Sequence, residues 1–227
     1  MKILFFSDLH IADDSRVDVI RQCRTVVYQE HPDIIVLGGD IFDPWKAHWS
    51  DICQTTSYQL IDDMTKWVRA KTIYINQNHD YNAPAWVLPS AYRCGQYDSG
   101  VWRFLHGWEF SWDWGIFGPA LFWLSTHHPE LMIPLHKAFY PHHEPIPGQH
   151  DKRQDWTVII GGIHARARLY AQKNGICLCI GHTHCPSVFD GLMIDGGDMI
   201  DSLSYIVIPD DAKPVAELRM LNDAKRN

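Results

Sequence analysis

Within its first 38 residues the chain carries an apolar run, a helix-period segment and a second apolar run, and this succession restricts the fold more than any other feature. Met1 to Ser7 is largely apolar up to a polar turn, Arg16 to Glu30 places Val17, Ile20, Val26 and Val27 at helical spacing, and Ile34 to Gly38 is apolar again. Apolar strands joined by a helical crossover form a βαβ unit, whose parallel strands need cover on both faces. The unit repeats: Tyr58 to Ala70 is helical through Leu60, Met64 and Trp67, and Thr72 to Asn76 alternates like a strand. A further strand is expected at Gly100 to Leu105, then a helix over Trp156 to Asn174 closed by Gly175. Short runs at Ile176 to Ile180, Ser187 to Phe189, Leu192 to Ile194, Ser204 to Ile208 and Ala216 to Met220 predict an antiparallel layer.

A chain of 227 residues with 46% hydrophobic content is long enough to bury one core, so a single α/β domain over 1–227 is expected. Between about 110 and 155 the character changes. This stretch holds six of the 14 histidines and a dense aromatic series that includes Phe110, Trp112, Trp114, Phe117, Phe122, Trp123, Phe139 and Tyr140. It reads as an insertion.

No stretch approaches the roughly 20 apolar residues needed to cross a bilayer, and no signal-peptide pattern opens the chain. A cytoplasmic protein with no transmembrane segment is expected, leaving peripheral membrane contact open. The six cysteines show no zinc-ribbon spacing and read as reduced thiols, with Cys177 and Cys179 alternating into a core. The formal charge of -7 argues against the broad basic surface that carries nucleic-acid affinity.

Four polar clusters fall just past predicted strand ends: Asp8-Leu9-His10, Gly39-Asp40, Asn78-His79-Asp80 and Gly181-His182-Thr183-His184. Ligands of open α/β sheets collect at that edge. One Asp-x-His is weak evidence, since most such residues sit hydrated at the surface. Four clusters at four strand exits point to a metal site.

With His106-Gly107 added, these blocks resemble in order and spacing the calcineurin-like metallophosphoesterases. The resemblance implies a two-layered mixed β sandwich flanked by helices, with residues 110–155 as a helical lid insertion. It further implies two divalent metals that activate a hydroxide to attack phosphorus. Two close cations need an anion between them, and Asp40 is placed for that bridge. By resemblance Asp8, His10 and His184 complete one metal site, while Asn78, His106 and His182 complete the other. Mixed nitrogen and oxygen ligation suits Mn, Fe, Co or Zn better than Ca or Mg, and the family favours manganese.

His79 resembles a proton donor or electrostatic clamp at the leaving oxygen, and an imidazolium there needs a carboxylate to hold its proton and orientation. Asp43 is the favoured partner, with Asp80 the alternative. His164 is a competitor for the role of His106, but its helical context predicts a solvent-facing or helix-packed residue. Gly39-Asp40-Ile41-Phe42-Asp43-Pro44-Trp45 and His106-Gly107-Trp108-Glu109-Phe110 resemble the branch of UDP-2,3-diacylglucosamine pyrophosphatases, although that branch usually carries Arg at the position of His79 and Gly at that of Gln77. The expected activity is phosphodiester or pyrophosphate hydrolysis on a small-molecule or lipid-linked substrate, such as a UDP-linked lipid or nucleotide. Lys46, Arg93, Arg103, Lys137, Lys152, Arg153, Arg166 and Arg168 are candidates to hold a diphosphate. The rival readings are a DNA-repair-type nuclease of the same family, which would need a basic groove, and a non-catalytic scaffold for protein binding, which would lack ligands.

Overall fold

A computed structural model describes residues 1–67, 69–111 and 154–221, with six isolated positions between 120 and 134. Eleven strands lie among the described residues, in two sheets. The first sheet is built on β1 (Ile3–Phe6), β2 (Ile34–Leu37), β3 (Lys71–Ile75) and β4 (Tyr92–Cys94), paired in parallel. The second begins with β5 (Tyr97–Ser99), β6 (Trp102–Phe104), β7 (Cys177–Ile180), β8 (Ser187–Phe189) and β9 (Met193–Asp195). Finally, β10 (Ser204–Ile208) and β11 (Glu217–Met220) return to the first sheet. The orders are β11-β10-β1-β2-β3-β4 and β5-β6-β7-β9-β8.

The alternation of side chains along each strand sorts them into layers. Ile3 and Phe5 face inward with Val36, Ile73 and Ile75, where they meet Trp102, Phe104, Cys177, Cys179 and Ile194 of the second sheet. Leu4 and Phe6 face outward. There they pack under α1 (Val17–Glu30) and α3 (Thr56–Trp67), α2 (Trp49–Ile52) being a single turn between them. The outer face of the second sheet, through Leu178 and Ile180, is covered by Ile163, Ala167 and Ala171 of α4 (Gln154–Asn174). Ile20, Cys23, Val26 and Val27 of α1 recur at helical spacing and are all buried. Asp14 accepts from the backbone of Ser57, giving the first turn of α3 a cap from a distant loop.

The two-layered sandwich with flanking helices is therefore as expected, and Cys177 and Cys179 lie in its core. One expectation is corrected. The C-terminal strands do not form an antiparallel layer of their own: β7 is parallel to both β6 and β9, while β10 joins the other sheet beside β1. Short runs carry no record of which neighbour they will find, so periodicity could not separate the two sheets. β4 and β5 are edge strands of the two sheets and mix aromatic and polar residues with Cys94, so no apolar run marks them in the sequence. The 110–155 insertion lies mostly outside the described residues.

Phe104 joins the sheets, with its ring 6.1 Å from that of Phe5 and no exposed surface. Phe104→Ala should cost about 3–5 kcal/mol of stability, measured by urea denaturation of the metal-stripped protein.

Candidate metal centre

Every predicted site residue emerges from the carboxyl end of a strand: Asp8 and His10 after β1, Asp40 and Asp43 after β2, Asn78 and His79 after β3, His106 after β6, His182 and His184 after β7. The first two loops continue the strand pairing beyond the sheet. Asp8 N donates to Gly39 O at 3.0 Å, His10 N to Asp40 O at 2.8 Å and Asp43 N to Ile11 O at 2.9 Å. The third loop is tied to the second by Asp80, which is fully buried and accepts from Ile41 N at 2.7 Å and Phe42 N at 2.8 Å. The second sheet docks onto the first through His182 N, which donates to Asp8 Oδ2 at 2.9 Å, and through His106 Nδ1, which donates to Gly38 O at 3.0 Å.

The loops turn sharply. Asp8, His10, Asp40, Asn78, His182 and His184 all adopt positive φ, between 46° and 69°. Such conformations cost of order 1–3 kcal/mol each in non-glycine residues and persist where the surroundings enforce them. Two glycines permit the close approaches. A Cβ on Gly39, whose φ is +95°, would lie 2.6 Å from His106 Nδ1, and one on Gly181 would lie 2.4 Å from Asp8 Oδ2.

All nine predicted metal and catalytic residues meet in one cluster. Among the described residues, three groups have ligand-type atoms mutually within 4.8 Å: Asp8, His10 and His184; Asp40, His106 and His182; and His10, Asp43 and His79. Asp40 lies among them, with Oδ2 2.9 Å from Asn78 Nδ2, 3.3 Å from His106 Nε2 and 3.7 Å from His10 Nε2. Its Oδ1 accepts from His79 N at 2.9 Å. His79 Nδ1 is 2.9 Å from Asp43 Oδ1, whereas both oxygens of Asp80 accept from the backbone of the second loop.

The polar atoms fit divalent cations. Asp8 Oδ1 and His10 Nε2 are buried without a hydrogen-bond partner and stand 4.0 Å apart, with His184 Nε2 3.5 Å from the same Asp8 oxygen. A carboxylate oxygen and two imidazole nitrogens within 4.8 Å of one another, two of the three without a hydrogen-bond partner, suit a divalent metal ion. The tautomers agree. Nδ1 of His106 is engaged by a carbonyl and Nδ1 of His184 by Asp198 Oδ2 at 2.7 Å, leaving Nε2 of each toward the cluster.

The electrostatics express the same demand for positive charge. Burial alone would lower the pKa of His106, but the Asp40 and Asp8 carboxylates reverse this and raise it to about 10. His184 behaves likewise, its burial outweighed by Asp198 and Asp8, and rises to about 9. Burial would raise the Asp40 carboxyl, yet His106 and His79 hold it below the usual carboxylate range. Burial keeps His10 and His182 below the ordinary histidine value, which favours their neutral forms.

Several contributors escaped the sequence reading. Asp198 holds His184 and itself accepts from Asp201 N at 3.0 Å and Ser202 N at 2.8 Å. Its signal was Asp195-Gly196-Gly197-Asp198, an acidic glycine turn directly after a strand. Trp45 stacks on His79 at 3.9 Å between ring centroids, and Ser111 Oγ lies 3.1 Å from His182 Nε2. His164 is not a ligand. It is helix-packed as one alternative predicted, but the solvent-facing alternative is corrected, because it is buried and bonded to Asp195. Of the described basic candidates, Lys46 reaches Asp43 at 2.9 Å, whereas Arg93, Arg103, Arg166 and Arg168 bond Ala83, Asp98, Phe110 and Asp190 respectively.

The chain belongs to the calcineurin-like phosphoesterases, whose family profile matches residues 1–186. It is thus a hydrolase of a metal-dependent family, with phosphoester bonds as its general target. Comparison with curated proteins finds no match. Among solved structures it is similar to a novel archaeal phosphodiesterase, at 14% identity and a TM-score of 0.48 over 96% of this chain and 99% of that one. It is also similar to YfcE, a phosphoesterase from E. coli, at 13% identity and 0.48 over 99% and 95%. A predicted phosphoesterase from Streptococcus pneumoniae aligns at 12% identity and 0.40 over 97% and 90%. Among the described residues no helix is long and apolar enough to cross a membrane.

Asp198→Asn should weaken Mn2+ affinity about 10- to 100-fold by releasing the His184 ring, as measured by isothermal titration calorimetry. Affinity should also rise with pH. His106 and His184, at about 10 and about 9, are protonated in metal-stripped protein at pH 7 and must lose those protons to become ligands. The expected slope between pH 6 and pH 8 is about tenfold per pH unit for each displaced proton, and a flat profile would contradict it.

Proposed function

We propose that the chain hydrolyses a phosphodiester or pyrophosphate bond in a small nucleotide- or lipid-linked substrate. Two divalent cations, manganese foremost, would be held by Asp8, His10, Asp40 and His184 on one side and by Asp40, Asn78, His106 and His182 on the other. The observation that carries this reading is the central carboxylate of Asp40, which lies within 4 Å of His10, Asn78 and His106 at once. When bound, the cations supply Lewis acidity toward phosphoryl oxygens and bring the pKa of water near neutrality.

The remaining chemistry belongs to the chain. His79 donates a proton from Nε2 to the leaving oxygen, while Asp43 holds the proton on Nδ1 and orients the ring. Burial would discharge this imidazole, but Asp40 and Asp43 raise its pKa above the ordinary histidine value, which suits a proton donor. Trp45 packs flat against the ring and limits its rotation. Lys46 offsets charge on Asp43, so that carboxylate orients His79 without carrying an uncompensated negative charge. The intact set of donors favours a working enzyme over a scaffold. The aromatic composition of the insertion at 110–155 suits either cover for an acyl chain or a base, or the filling of its own small core.

Protein reconstituted with Mn2+ should turn over bis-p-nitrophenyl phosphate faster than p-nitrophenyl phosphate, and His79→Ala should lower kcat about 10²- to 10⁴-fold with metal content unchanged. Absence of turnover with every divalent metal would remove the enzymatic reading. Loss of metal from the His79→Ala protein would remove the role given to that histidine.

A further inference from the structure

The turn His182-Thr183-His184 is gripped from the side opposite its two histidines by a buried relay. Thr183 Oγ1 donates to Asp195 Oδ2 at 2.6 Å and accepts from Cys185 N at 3.1 Å. His164 Nε2 lies 2.8 Å from the same Asp195 oxygen, and Asp195 Oδ1 accepts from Gly197 N at 2.9 Å. Asp195 has no exposed surface, and His164 and Thr183 retain 7% each. A carboxylate buried this deeply is tolerable only when its oxygens are satisfied, and here an imidazole, a hydroxyl and a backbone N–H do so.

This relay sits where the turn most needs restraint. Thr183 separates two residues at positive φ, 69° and 56°, and a turn with two strained positions relaxes unless something outside it holds the geometry. His164 belongs to α4, the helix that follows residues 112–153 in the chain, and its ring also packs on Phe189 at 4.9 Å. Ser111, the residue just before that stretch, reaches His182 Nε2 at 3.1 Å. The stretch is therefore preceded by a group that touches the ligand turn, Ser111, and followed by a helix whose His164 reaches that turn through Asp195.

We infer that His164 and Asp195 are positioning residues for the metal centre: acting through Thr183, they fix the turn that presents His182 and His184 and so couple α4 to metal affinity. The inference rests on the reading of those two histidines as ligands. A plain anchor of α4 to the sheet would behave differently, because its loss lowers stability and leaves metal affinity unchanged.

The test is a Co2+ titration of the full chain followed by visible d–d absorption, with melting temperatures of the metal-stripped proteins measured in parallel. Thr183→Val and His164→Ala should each weaken Co2+ affinity about 10- to 100-fold. The double variant should be little worse than the weaker-binding single, since both act through one carboxylate. His164→Gln, whose amide can donate to Asp195, should return affinity to within about threefold of wild type, a rescue that loss of helix packing would not show. If His164→Ala does not fold, Thr183→Val and His164→Gln decide the matter. Thr183→Val binding Co2+ as the wild type does, with only its melting temperature lowered, would overturn the positioning role while leaving the metal centre in place. A wild-type protein that binds no Co2+ would overturn the metal centre and this inference together.

Discussion

Buried negative charge is the constraint on which the rest of this structure depends. Asp8, Asp40 and Asp43 all lie at 2% exposure or less at one end of the sandwich. Ionised carboxylates removed from water are costly unless donors or cations replace the lost hydration. Backbone N–H groups do part of this work: His182 serves Asp8 and His79 serves Asp40. Histidines do another part, with His106 and His184 driven up to about 10 and about 9 by the carboxylates around them. What remains is Asp8 Oδ1 facing His10 and His184 with no hydrogen-bond partner. A divalent cation would satisfy that remainder and could take the place of protons that the imidazoles would otherwise carry.

The fold supplies the convergence. Parallel strands from both sheets end at the same edge, so five loops can each contribute one or two polar residues without any loop being long. Left-handed backbone at six of the seven candidate ligands directs these short loops and stores strain. Contacts between loops offset that strain, above all the bonds from the second sheet to Asp8 and Gly38. The same contacts explain why the outer residues matter. Asp198, Asp195, Thr183 and Ser111 touch the candidate ligands or the turn that carries them, and each restricts a group whose local conformation is unfavourable by itself.

A large share of the site was legible in the chain. Asp8, His10, Asp40, Asn78, His79, His106, His182 and His184 sit in short blocks at strand exits, and position in the sequence is enough to find such blocks. Asp43 could be preferred over Asp80 only by resemblance. The physical distinction appears in three dimensions, where Asp80 faces backbone donors and Asp43 faces the imidazole. Asp195 and Asp198 carried a faint signal, a glycine turn with two acids, but nothing local to it names His164 or His184 as partners.

Apolar runs and their period were enough to determine the βαβ units and the helices α1, α3 and α4, because each depends on residues near one another along the chain, while the candidate ligands came from the family resemblance that the polar blocks carry. Tertiary structure alone decided that β7 lies parallel between β6 and β9, that β10 crosses to the other sheet, and that His164 and Thr183 share Asp195. Those outcomes depend on which distant surfaces bury one another and which buried polar groups must then find partners, and no local pattern encodes that choice.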